Sequence, residues 1–167
     1  VKTISVSHHT MENSVLPKYR HKAVVIHNAV DISMYANLHK GNQTHPFIVG
    51  IIGSVYTKKR QHIIPRIANH TRDNKNIHYH IIGQVGNPAA QQYLDRILAE
   101  IKNKGLNETV YYKGYIDKPM PEVIGIIDVL MHVGTHEAFG RVLIESMAGG
   151  RPVISVDSGA AREIIKD

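Results

Sequence analysis

The sequence predicts an α/β fold, a parallel sheet with helices on both faces, and three observations carry that prediction. From about residue 46 onward, short β-rich runs alternate with helical segments. The first of these runs is continuously apolar at strand length, as a strand covered on both faces must be. Glycine and proline stand at element ends: Gly105 where a helix C-terminal glycine belongs, and Pro152 just ahead of a strand, where a missing N–H costs least.

Taken in order, Phe47-Ile48-Val49-Gly50-Ile51-Ile52 reads as the first strand of this Rossmann-like sheet. A helix from about Arg60 to Thr71 follows, with Ile63, Ile64, Ile67 and Ala68 at helical spacing. "IHYHIIG" is the next strand, with a helix over about 88–104. "TVYYKGY" precedes a short helix near 121–126, and "DVLMHV" a helix over about 139–148. "PVISV" and a helix over about 161–165 close the series. Residues 1–45 do not fit this repeat. "KTISVS" and "KAVVIHNAVD" read as two strands joined by a polar, poorly periodic stretch, and "SMYANLHKGNQTH" reads as a linker. The expected division is therefore 1–45, the tail of a neighbouring N-terminal domain with its link, and 46–167, one domain that stops at or just after a helix, short of its C-terminal end.

Composition narrows the function classes. With 43% apolar and 20% charged residues in 167, the chain should bury one ordinary core. No apolar run approaches the roughly 20 residues of a membrane span, and no export signal opens the chain. Cysteine is absent, which excludes disulfides, thiolate nucleophiles and Cys-ligated metal, and a cytoplasmic location is expected. A formal charge of +6 implies an anionic partner, either a phosphate-bearing ligand or, peripherally, an anionic membrane surface. Nucleic acid is not expected, because Lys and Arg are scattered and the densest run is only Lys58-Lys59-Arg60.

An open α/β sheet binds ligands at the carboxyl ends of its strands, beside the switch point of strand order. Two segments fall there with suitable chemistry. After the first strand, Gly53 permits close backbone approach, Ser54 offers a hydroxyl, and Lys59 can reach back as a point charge to a phosphate. In "THEAFGRVLIESMAGGRPVISV", the amides of Phe139, Gly140, Arg141, Val142 and Leu143 lie at or near a helix N-terminus, a seat for a diphosphate. Glu137 stands on the turn and Glu145 in the second helical turn, both able to hydrogen-bond vicinal sugar hydroxyls. Taken singly, Glu137 reads better as an N-terminal acid complementing the helix dipole and Glu145 as a solvated helix residue.

The joint arrangement resembles the signature of retaining, GT-B fold glycosyltransferases of glycosyltransferase group 1 (family 4), which read E-G-F-G-x-x-x-x-E-A-M-A-x-G-x-P-V-I followed by a glycine pair and a further Glu. Glu137, Phe139, Gly140, Glu145, Met147, Ala148, Gly150, Pro152, Val153, Ile154, Gly159 and Glu163 match it. "VIHNAVD", "IIGSVYTKK" and "VYYKGYID" are similar to the family's interdomain link, first C-terminal strand with phosphate loop, and base segment. The resemblance implies the C-terminal, donor-binding half of a GT-B enzyme, its acceptor site in an N-terminal domain. Its donor is a nucleotide diphosphate sugar such as a UDP-sugar, its acceptor a polysaccharide or glycolipid, and its hexosyl transfer needs no cofactor or metal. The isolated chain is then expected to lack transfer activity. Glu145 is implied at the ribose hydroxyls and Glu137, the catalytic candidate, at the transferred sugar. Lys59 and the amides around Gly140 to Leu143 fall at the diphosphate, and backbone of Gly114, Tyr115 and Ile116 at the base. Ser54 departs from the pattern where the family places Arg, as do Ala138, His27, Ala29 and Val133-Gly134.

Two alternatives share the fold: a non-catalytic nucleotide- or sugar-phosphate-binding module, and a nucleotide-sugar epimerase. Among the twelve histidines, His136-Glu137 lacks a second His at metal spacing, and His8-His9 and His78/His80 lack companion carboxylates in the sequence. No metal ligand set is therefore expected. His78 and His80 are expected to face solvent or occupy satisfied core positions. No Gly-x-Gly-x-x-Gly follows any strand, and Ser54 has no nucleophile-elbow context.

Overall fold

A computed structural model of the chain describes residues 2–36, 38 and 46–166, so residues 37 and 39–45 of the expected linker lie outside the described residues. The N-terminal segment contains β1 (Thr3–Ser5), α1 (His8–Ser14) and β2 (Ala23–Val25), with 3-10 turns at Pro17–Lys22 and Ile32–Tyr35. The main body runs β3 (Phe47–Ile52), α2 (Ile64–His70), β4 (Ile77–Ile82), α3 (Pro88–Asn103), β5 (Val110–Gly114), α4 (Met120–Gly125), β6 (Val129–His132), α5 (Arg141–Ala148), β7 (Val153–Ser155) and α6 (Ala161–Ile164). Every strand and helix expected after residue 46 is present within a few residues of its expected ends. The helix expected from Arg60 is split: Arg60 takes a left-handed φ of 56°, a 3-10 turn covers Gln61–Ile63, and α2 begins at Ile64.

α1 is a correction to the sequence reading, which left residues 8–14 as irregular chain. It has no buried residue, so no apolar stripe announces it. Its start rests on capping, with the Thr10 amide donating to the Ser7 hydroxyl at 2.9 Å.

β3 to β7 form one parallel sheet in the order β5-β4-β3-β6-β7, while β1 and β2 pair in parallel as a separate two-stranded sheet. Both faces of the large sheet are covered. Val49 and Ile51 of β3, with Tyr79, Ile81, Val129 and Met131, pack on Ile64, Leu94 and Ile97 from α2 and α3. The alternate residues Ile48, Ile52, Ile82 and Leu130 pack with Val123, Leu143 and Ala161 from α4, α5 and α6. The period-2 alternation of a strand thus feeds two cores. α3 shows the same logic at helical period. Asn87 caps it through the Ala90 amide at 2.8 Å, and Ala90, Tyr93, Leu94, Ile97 and Ile101 form its buried face. Each fully buried aliphatic of this stripe contributes about 1.5–3 kcal/mol.

The strand order places the switch point between β3 and β6, the two strands from which the chain departs toward opposite edges. Their carboxyl ends carry the two loops singled out in the sequence.

On β4, His80 is buried, and its Nδ1 has no hydrogen-bond partner among the described residues. It is therefore neither solvent-facing nor satisfied, contrary to expectation. Its ring packs edge-on to Tyr111 at 5.5 Å, where an apolar body is accommodated and a charge is not. Burial first, then Lys113 and His78, depress its pKa from 6.5 to about 4. The folded state thus resists a proton that the unfolded chain accepts, so this contribution to stability is complete above pH 6.5 and is lost as pH falls toward 4. Urea midpoints measured across that window should fall with pH, and His80→Leu should flatten the slope.

Candidate functional site

The loop leaving β3 is drawn toward β4: the Gly53 amide donates to Ile82 O and the Val55 amide to Gln84 O, each at 2.9 Å. Gln61 Nε2 donates to Ser54 O at 3.0 Å, fixing the bend from beneath. A 3-10 turn over Thr57–Lys59 then turns the chain back across the switch point. The Thr135 amide donates to Lys58 O at 3.1 Å, joining this loop to the one that leaves β6. Lys59 Nζ reaches Glu137 Oε2 at 2.6 Å, with the two side chains 18% and 20% exposed. Lys59 is thus not part of a solvated run, although its neighbour Lys58 is exposed.

The turn that presents Glu137 is held on several sides. His136 adopts a left-handed φ of 56°, and its amide donates to Ser158 Oγ at 3.1 Å. The Ala160 amide donates to Glu137 O at 3.1 Å. Gly159 packs directly beneath: a Cβ there would lie 2.6 Å from Glu137 N and 2.7 Å from Glu137 O, at a φ of +63°. From the other side, Ser7 Oγ and Thr10 Oγ1 donate to Ala138 O at 2.5 and 3.0 Å.

A third group meets the pair. His132, at the carboxyl end of β6, is buried, and its Nε2 lies 3.6 Å from Glu137 Oε2. This imidazole foremost, followed by the Lys59 ammonium and set against the cost of burial, holds the Glu137 carboxyl down to about 2. Glu137 is therefore a carboxylate at any physiological pH, an acceptor with no proton to give. His132 is not among the residues expected at the site, although an imidazole after the run "DVLM" at a switch-point strand end is a signal for it.

α5 begins at Arg141, so Phe139 and Gly140 precede the helix rather than open it. Gly140 sits at φ 87° as the N-cap, without a side-chain cap. Of the five expected amides, that of Leu143 already donates to Gly140 O at 2.9 Å, while those of Arg141 and Val142 belong to the first turn, where no intrahelical acceptor exists. Phe139 is buried with its ring 5.5 Å from that of His27. Glu145 is buried and paired with Arg141 at 3.1 Å, the guanidinium side chain 65% exposed above it. Burial pushes its pKa up and Arg141 opposes the rise.

Along the carboxyl ends of β3 and β4 and the loop after β5 lies an apolar cleft of about 180 Å³ lined by Gly53, Ser54, Tyr115, Ile116, Ile52 and Met120 among others. Four expected site residues from two separate loops thus share one cavity. Gly114 ends β5 next to it, its carbonyl accepting from the Gly83 amide at 2.8 Å. The carboxyl ends of the sheet therefore carry an ionised carboxylate, a cation and a helix N-terminus at the β3/β6 switch point, and an apolar slot along β3, β4 and the loop after β5.

The family model described as "Glycosyl transferases group 1" matches residues 38–167. A GDP-mannose-dependent alpha-mannosyltransferase of Mycobacterium tuberculosis is 29% identical over 103 residues, 51% of this chain and 27% of that protein. A poly(ribitol-phosphate) alpha-N-acetylglucosaminyltransferase of Staphylococcus aureus is 28% identical over 137 residues, 79% of this chain and 26% of that protein. The chain thus spans about a quarter of the length of these relatives. The crystal structure of Anabaena HepE in complex with UDP and glucose superposes with a TM-score of 0.83 at 22% identity, over 99% of this chain and 47% of that one. That likeness establishes the fold.

Gly159→Ala tests the geometry of the turn. A methyl group at this φ, against the backbone of Glu137, should lower stability by roughly 1–3 kcal/mol. Thermal unfolding checks this, and an unchanged midpoint would show that the turn is not held from below.

Proposed function

We propose that this chain, which belongs to the group 1 glycosyl transferases, is the nucleotide-sugar-binding part of a retaining, family 4 hexosyltransferase. The observation that carries the reading is the meeting of Lys59, Glu137 and the α5 N-terminus at the switch point, with an apolar slot along β3, β4 and the loop after β5. A sugar nucleotide presents the complementary sequence of groups: a flat base, a ribose, a diphosphate and a hydroxylated ring.

In this reading the base enters the slot at Tyr115 and Ile116, and Glu145 takes the ribose hydroxyls once Arg141 swings aside. The diphosphate lies on the amides of Arg141 and Val142 with Lys59 as its cation. The exposed Arg141 guanidinium supplies the second cation that Ser54 cannot. Glu137, ionised and acceptor-only, receives hydroxyl donors of the transferred sugar. During transfer the bond from the anomeric carbon to the diphosphate breaks, the bond to an acceptor oxygen forms on the same face, and the acceptor proton passes to the departing diphosphate. Charge on that leaving group is what Lys59 and the amides stabilise, so the reaction as proposed requires no metal or cofactor.

The acceptor is assigned to a polysaccharide or glycolipid, handled in the cytoplasm at an anionic membrane surface by a separate N-terminal domain. Among the described residues, no helix is long and apolar enough to cross a membrane. In favour of a further domain, parallel sheets are normally covered on both faces, yet Ile4 and Val24 of the small sheet are 67% and 48% exposed, and Ile26 just beyond it is 55% exposed. Ile4 and Val24 are register partners and share a face.

Lys59→Ala should weaken binding of UDP far more than that of uridine, which carries no charge to neutralise. Raising the salt concentration should weaken UDP binding by the parent more than by the variant. Calorimetric titration at two ionic strengths decides the matter, and unchanged UDP affinity in the variant would place the phosphates elsewhere.

A further inference from the structure

We propose that His8, His27 and Glu163 form a binding site for a divalent transition cation, zinc by preference. Their ligand atoms all lie within 4.8 Å of one another, although 19 and 136 residues of sequence separate His27 from its two partners. His8 opens α1, His27 lies just beyond β2, and Glu163 stands on α6. The sequence offered His8-His9 no companion carboxylate; the fold supplies one.

The geometry favours a ligand set over a chance encounter. The Glu163 carboxylate is oriented by two backbone amides, His8 N–H to Oε2 at 2.9 Å and His9 N–H to Oε1 at 2.8 Å. Metal-binding carboxylates are steadied by such outer hydrogen bonds. Each oxygen keeps a lone pair beyond the one its amide uses. His27 Nε2 already stands 3.2 Å from Oε2, and its ring meets that of His8 edge-on at 6.2 Å between centroids. Phe139 backs the His27 ring at 5.5 Å. Two imidazoles and one carboxylate are the donor set of three-ligand zinc sites, whose fourth position stays open. Two of the three ligands, His8 and Glu163, also line a cleft of about 390 Å³, together with His9, His136 and Asp157 among others. A bound cation would tie the segment that holds Ala138 to α6. The three ligands include neither Lys59 nor Glu137, and the test reads metal binding rather than nucleotide binding.

Zinc chloride titrated calorimetrically into the metal-stripped chain at about pH 7.5 should show saturable binding, because neutral imidazoles are required. His8→Ala and His27→Ala each remove an exposed ligand and should weaken binding by roughly 100-fold or abolish it. His9→Ala, which keeps all three ligands, should bind as the parent does. Cobalt(II) should give visible d–d bands with the parent and His9→Ala and lose them in the other two, while thermal unfolding confirms that all four are folded. Absence of zinc binding by the parent, parental affinity in either ligand variant, or loss of binding in His9→Ala would each overturn the site and leave a purely hydrogen-bonded cluster.

Discussion

The loops that follow β3 and β6 diverge in sequence by some eighty residues and are fastened together by one ion pair, Lys59 with Glu137 at 2.6 Å. The strand order makes this pairing possible, because β3 and β6 are neighbours from which the chain leaves in opposite directions, opening a crevice between their ends. Burial costs Glu137 a desolvation penalty that the His132 imidazole and the Lys59 ammonium together outweigh, and neither side chain is exposed enough for screening to erase the attraction. The imidazole of His132 adds a third polar group from the sheet itself. A ligand entering here meets charges already oriented by the fold, which lowers the reorganisation that binding demands.

The ion pair in turn depends on a turn whose backbone is restrained from two sides. Gly159 and the Ala160 amide lie under Glu137, and the hydroxyls of Ser7 and Thr10 hold Ala138 O from the N-terminal segment. Glu163, the last acid of the signature, does not face the crevice. It caps α1 through the amides of His8 and His9 and meets His27. The first thirty residues are thus docked on the loop that carries the site, through contacts to Ala138, Phe139 and Glu163.

Much of this was legible in the sequence because the signals were periodic or local. Continuous apolar runs gave β3 and β6, the stripe through Leu94 and Ile97 gave α3, and the Phe139-Gly140 turn marked the start of α5. Gly53, Ser54, Tyr115 and Ile116 do line one cleft. What was not legible is non-local. α1 buries nothing and so leaves no period in the sequence. That Glu163 would stand beside His8, 155 residues away in sequence, follows from tertiary approach rather than spacing. His80 was misjudged for the same reason: whether an imidazole in a strand finds a partner depends on what the next strand offers, and β5 offers the ring of Tyr111.

On this geometry one ligand should span the slot, the helix N-terminus and the loop after β3 at the same time. Amide hydrogen exchange with and without a nucleoside diphosphate sugar tests it most directly. Added protection should appear simultaneously at residues 53–59, 114–116 and 139–142, with the N-terminal half of α3 unchanged. Protection confined to one of these loops, or appearing instead around residues 155–165, would contradict it.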